Sequence, residues 1–174
     1  SSVPGVNGIY VLAGNANSSL CREAAEKAEI RTEVQTAESW TVTSLLHAIV
    51  SAAEKSGSDA AAYAYADCPF LDEKLTAETV MTHEKYCAEY TFADGYPYGL
   101  SPEVIDKGAA GILASLSETV QKAAGTAPVS RTCIYDLLKT DINSFEIETV
   151  LAPKDWRLYR FSFECGTKAG FISC

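Results

Sequence analysis

The stretch "YAYADCPFLDEKL", residues 63 to 75, carries the decision about the fold. It runs from the end of an apolar, strand-like segment into an aspartate, Asp67, then a proline and a second aspartate, Asp72. Asp67 follows "AAAYAYA" (60–66), which reads as a fully buried strand, so its carboxylate is expected at that strand's carboxyl end. In open α/β sheets ligands bind beyond the carboxyl ends of strands, where a hard oxygen donor can hold Mg²⁺ against substrate phosphates. The competing reading has Asp67 capping a turn around Cys68, as aspartates do after many strands. Local chemistry by itself favours the turn.

The segments around this stretch alternate. "GIYVLA" (8–13) reads as a strand followed by a turn, and "SSLCREAAEKAEI" (18–30) as a helix with a Ser cap. "SWTVTSLLHAIVSAAEKSG" (39–57) places Val42, Leu45, Leu46, Ile49, Val50 and Ala53 on one face and stops at Gly57. "LDEKLTAETVMTHEKY" (71–86) is helical, "EYTF" (89–92) a short strand, and "ADGYPYGLS" (93–101) a Gly- and Pro-rich loop. A long helix is expected from Ser101 to Gly125 with Pro102 at its first position, then a shorter one over 130–141 capped by Ser130. "FEIETVLA" (145–152) and "WRLYRFSFEC" (156–165) alternate as strands. Strands interleaved with helices predict a single α/β domain over 1–174 with a mostly parallel sheet.

Bulk composition narrows the functions. The chain has 174 residues, 47% of them hydrophobic, enough for one domain with a real core. Its net charge of −9, from 14 basic and 23 acidic residues, argues against a nucleic-acid surface, which needs Lys and Arg to replace phosphate counterions. No apolar run reaches membrane-spanning length and the N-terminus has no basic leader, so a cytoplasmic protein without a membrane partner is expected. The six cysteines, at 21, 68, 87, 133, 165 and 174, include no C-x2-C pair, and reduced, buried thiols are the expectation.

Other residues have plain readings. His47 falls on an apolar helix face and reads as a core or boundary histidine; His83 sits on a polar helix and reads as solvated. Tyr63 and Tyr65 fit core packing, whereas Tyr96 and Tyr98 are loop residues able to meet a ligand. Lys154, Asp155, Arg157 and Arg160 read as charged surface, and no Ser/His/Asp or Cys/His set can be assembled.

"YADCPFLDEKL" resembles the "GDCPLID" strand-end motif of cytidylyltransferase-like nucleotidyltransferases, the family that includes spore-coat polysaccharide proteins. "EYTFADGYPYGLSPEVID" resembles that family's Tyr-Pro-x-Gly substrate loop, and "FEIETVLAPKDWRLYRFSFECGTK" its closing hairpin with a second metal carboxylate. The resemblance implies a three-layer α/β/α Rossmann-like fold of the nucleotide-diphospho-sugar transferase (GT-A) type and transfer of a nucleotide, usually CMP, to a sugar-type acceptor with Mg²⁺. It implies Asp67 and Glu164 as metal ligands and Gly95, Tyr96, Pro97, Gly99 and Glu103 as the acceptor-side loop. It also implies that the chain begins after the family's first strand and Gly-rich phosphate loop, with degraded or incomplete activity. The sequence departs from the pattern at Ala66, at "CGTK" (165–168) after Glu164, and in "SRTCIYDLL" (130–138), which lacks the usual histidine segment. Such a body ending near "FSFECGTKAGF" also resembles the N-terminal region of spirochaete-type radical SAM/SPASM proteins, which would make it a non-catalytic binding domain partnered by the rest of its polypeptide.

Overall fold

The computed structural model describes residues 5–27, 32–125 and 129–174, in two compact units. One unit holds residues 60–109 and 143–174; the other holds residues 5–59 and 110–142. The elements run β1 (Ile9–Gly14), α1 (Ser18–Lys27), β2 (Thr32–Ala37), α2 (Val42–Ser56), β3 (Ala60–Tyr63), α3 (Glu73–Tyr86), β4 (Tyr90–Asp94), β5 (Glu103–Asp106), α4 (Lys107–Ala124), α5 (Cys133–Leu138), β6 (Ile147–Leu151) and α6 (Lys168–Ser173). Strands and helices alternate as the sequence predicts, in sheets that combine parallel and antiparallel pairs.

In the 5–59/110–142 unit, β1 and β2 pair in parallel from Ile9 opposite Thr32 to Gly14 opposite Ala37. β2, "TEVQTA", carries a single aliphatic side chain larger than alanine and escapes a hydrophobicity-led reading of the sequence. α2 begins with a full capping box, Thr41 and Ser44 each accepting from the other's backbone N–H, and ends at Gly57 in the left-handed conformation. Its Leu45, Leu46, Ile49 and Ala53 are buried, as its spacing predicts, and its Thr43 hydroxyl meets that of Ser117 on α4 at 2.8 Å. Residues 28–30 of the expected first helix lie outside the described residues.

In the 60–109/143–174 unit, the sheet order is β3-β5-β4-β6. β5 runs antiparallel to β3 and β4, and β6 runs parallel to β4. β3, β4 and β6 therefore point the same way, and their carboxyl ends share one edge of the sheet. α3 packs across β4, β5 and β6, burying Leu75, Thr79 and His83.

Three sequence expectations are corrected here. "EVID" (103–106) is a strand, not the first turn of the long helix: Val104 and Ile105 are fully buried between two neighbouring strands, where β-branched side chains pack well. The helix starts at Lys107, with the Asp106 carboxylate accepting from the N–H groups of Gly108 (2.6 Å) and Ala109 (3.1 Å). "WRLYRFSFEC" is no strand; it holds a 3-10 turn at Arg157–Tyr159, a left-handed Arg160 and one bridge between Ser162 and Tyr98. β3 is an edge strand of intermediate exposure that ends at Tyr63, so Asp67 lies within a turn, closed by Cys68 N–H on Tyr65 O, rather than directly after a buried strand.

Candidate functional site

The loop between β4 and β5 and the segment after β6 meet at the edge where β3, β4 and β6 end. Gly95 sits at φ +81° and Gly99 at φ +92°, and a side chain on Gly99 would lie 2.9 Å from the Phe163 carbonyl. Both turns thus require glycine, which alone takes such dihedrals without strain. The loop is bonded to the post-β6 segment along its length. Ala152 N–H donates to the Asp94 carbonyl (2.8 Å), Trp156 N–H to Gly95 O (2.8 Å), and Phe163 N–H to Tyr98 O (2.9 Å).

Asp67 joins the same corner. Cys165 N–H donates to the Asp67 backbone carbonyl at 2.7 Å, placing Glu164 and Asp67 in adjacent, hydrogen-bonded segments that lie ninety-odd residues apart in the chain. Both residues are half-buried. Among the described residues, no group of three or more His, Cys, Asp or Glu is arranged to hold a metal ion.

Beside the loop lies a groove of about 580 Å³ with apolar walls of Phe70, Leu75, Leu100 and Phe163 and polar groups from Asp72, Lys74, Glu78 and Tyr96. The Phe70 and Phe163 rings meet edge to face, 5.8 Å between centroids. Asp72 caps α3 by accepting from Leu75 N–H (2.8 Å), and its own N–H donates to Leu100 O (2.8 Å), so helix start and loop are locked together. Partial burial, with Glu78 and Asp72 nearby, pushes the Tyr96 hydroxyl's pKa upward.

Glu103 faces inward rather than toward solvent. One of its carboxylate oxygens accepts from the hydroxyls of both Tyr63 and Tyr90, and those hydroxyls are 3.1 Å apart. Burial first, and then the Glu103 charge, push both tyrosine pKa values well above the ordinary range. A small cleft lined by Tyr65, Cys68, Tyr98, Gly99 and Ser101 opens onto this cluster. The Tyr63–Tyr90–Glu103 association is missed by sequence reading, because it needs the antiparallel pairing that sets Tyr63 opposite Glu103.

The two histidines exchange the places expected for them. His83 is buried, with Nδ1 3.0 Å from the Thr91 hydroxyl, and burial lowers its pKa. His47 is exposed and meets Glu118 at 3.0 Å. Arg157 donates to Asp155 (2.9 Å) and Asp94 (3.1 Å), both carboxylates of its own surface. Lys154 lies over the rings of Trp156 and Tyr159.

A crystal structure of 4-diphosphocytidyl-2C-methyl-D-erythritol synthase from Anaerococcus prevotii is similar in fold, with a TM-score of 0.69 over 99% of this chain and 78% of that one. Identity to it is 12%, so the likeness shows a shared α/β fold and nothing about chemistry. No family model matches the chain. Two uncharacterized proteins of Treponema pallidum share 47% identity over 53 residues and 49% over 41 residues. Those stretches span 24% and 11% of the two relatives and 30% and 24% of this chain. No helix among the described residues is long and apolar enough to cross a membrane.

Proposed function

We propose that the chain is a nucleotidyltransferase-like domain that binds a nucleotide at the edge formed by Asp67, the 95–99 loop and Glu164, and takes a sugar-type acceptor in the adjoining groove. The observation that carries this reading is the convergence of three strand ends, with Asp67 and Cys165 joined directly by a backbone hydrogen bond. Asp67 and Glu164 would hold Mg²⁺, which when bound supplies positive charge to the phosphates of the nucleotide. Gly95 and Gly99 fix the loop, Tyr96 presents a hydroxyl to the groove, and Pro97 stiffens the turn between them. Glu103 acts behind the loop by holding Tyr63 and Tyr90. A cytoplasmic setting suits such a ligand.

A second reading is favoured by the fate of the local cations. Arg157 is engaged by Asp94 and Asp155, and Lys154 by aromatic rings. With a net charge of −9, this supports a non-catalytic binding domain, for which the rest of a larger polypeptide is the proposed partner. Calorimetric titration of the chain with CTP and other nucleoside triphosphates in Mg²⁺ separates the two. Binding that is abolished in Asp67→Asn and Glu164→Gln supports the nucleotide site; no heat from any nucleotide leaves the interaction domain.

A further inference from the structure

The groove beside the 95–99 loop has walls fixed to each other. α3 and the loop are pinned by the Asp72 N–H on Leu100 O (2.8 Å) and by the hydroxyls of Thr79 and Ser101, 3.1 Å apart. A cavity of about 580 Å³ between such walls suits a small molecule. Its lining is uneven in charge: two carboxylates, Asp72 and Glu78, against one ammonium, Lys74, and no guanidinium. Asp72 spends one oxygen on the α3 cap, accepting from Leu75 N–H at 2.8 Å. Glu78 has no hydrogen bond or ion pair among the described residues, although Lys74 lies one turn before it on α3. The remaining walls are aromatic and aliphatic. Phe70 is 45% exposed even with its ring set edge to face against Phe163, so aromatic surface stays open to the groove.

We propose that this groove binds an organic cation, a small molecule whose ammonium group lies against Phe70, Tyr96 and Phe163 and faces the Glu78 carboxylate. Aromatic faces attract a cation through the negative face of the ring quadrupole, and the attraction grows as water is excluded. Glu78 adds a charge-assisted partner, one that would repel an anion. The apolar walls fit the methyl or methylene groups beside the charge. To an uncharged polyol the same walls offer few of the partners that its buried hydroxyls require. This rests on the groove's proposed role as acceptor site, and it narrows the acceptor to one with a positive charge, carried on an amino sugar or an amino alcohol.

The test is an NMR titration of the folded chain, without nucleotide or metal, using two pairs of probes that differ in charge and little else. The pairs are glucosamine against glucose, and choline against its uncharged carbon isostere. In at least one pair the charged member is expected to bind about tenfold more tightly, with shifts centred on Phe70, Tyr96 and Phe163. The pair that responds identifies the body that carries the charge. Glu78 is exposed, so Glu78→Gln keeps the fold and removes most of that preference. Phe70→Leu, which keeps an apolar wall and loses the ring, weakens the charged probe and spares the neutral one. Equal binding of charged and neutral members, a preference untouched by Glu78→Gln, or no binding of any probe overturns the proposal. A charge preference in a chain that gives no heat with CTP and Mg²⁺ sinks the nucleotide site and leaves the cation site standing. CTP binding that is lost in Asp67→Asn, beside a groove indifferent to charge, does the reverse.

Discussion

Glu103 takes two phenol hydroxyls on one oxygen at the inner end of the β3–β5 pair. Hydrogen bonds to a carboxylate are worth more than neutral ones, so Tyr90→Phe is expected to cost about 1.5–3 kcal/mol in urea denaturation. Gly99 carries a different constraint. Its φ of +92° and the nearness of the Phe163 carbonyl make Gly99→Ala destabilising by about 1–3 kcal/mol, with loosening of the 95–99 loop visible as faster amide exchange there. His83 sets a pH response. Burial favours its neutral form, outweighing the pull of Asp106 and Glu84, so its folded pKa lies below the ordinary 6.5. Below that value the unfolded chain binds the extra proton, and stability falls as pH drops from about 6.5 through the folded pKa. His83→Gln should flatten that part of the pH–stability curve while leaving the limb above it unchanged.

Among the elements, α3 ends on a residue poorly suited to its backbone. Cys87 caps it at φ 52°, in the left-handed region, where a side chain costs roughly 1–2 kcal/mol that glycine avoids. Cys87→Gly should therefore raise the unfolding free energy measured by urea denaturation by about 1 kcal/mol, because the Cys87 side chain is exposed and contributes little packing. α2 was legible in its apolar stripe and its Gly57 stop, both local signals, whereas the expected start at Ser39 missed the Thr41 cap. β5 was not. Pro102 and the run of alanines and glycines after it point to a helix, and only the slot between β3 and β4 makes Val104 and Ile105 a strand. The 156–165 segment fails in the opposite direction. Its alternation mimics a strand, but its backbone is spent on bonds to the 95–99 loop instead of a ladder. Histidine placement likewise depended on which face of a helix the sheet covers, and spacing within one helix does not say this.

At the scale of the molecule, the α/β fold follows from many segments, whereas the site rests on contacts between three of them. The order of β1, α2, β3 and β4 was readable from periodicity and punctuation, and so was the loop with its two essential glycines. That Asp67 and Glu164 neighbour one another was implied by resemblance alone, since nothing local in "YADCPFLD" or "FSFECGTK" points from one to the other. The structure joins the two segments through the backbone bond from Cys165 to Asp67, and the metal role of the two carboxylates is a proposal for experiment. The most direct test is an NMR titration of the chain with Mn²⁺ in place of Mg²⁺, in the presence of CTP. Paramagnetic broadening concentrated at residues 67–68, 95–99 and 164–165, and lost in Asp67→Asn, is the expected result. Broadening spread over the acidic surface, or unchanged by Asp67→Asn, would contradict a metal-nucleotide site at this edge.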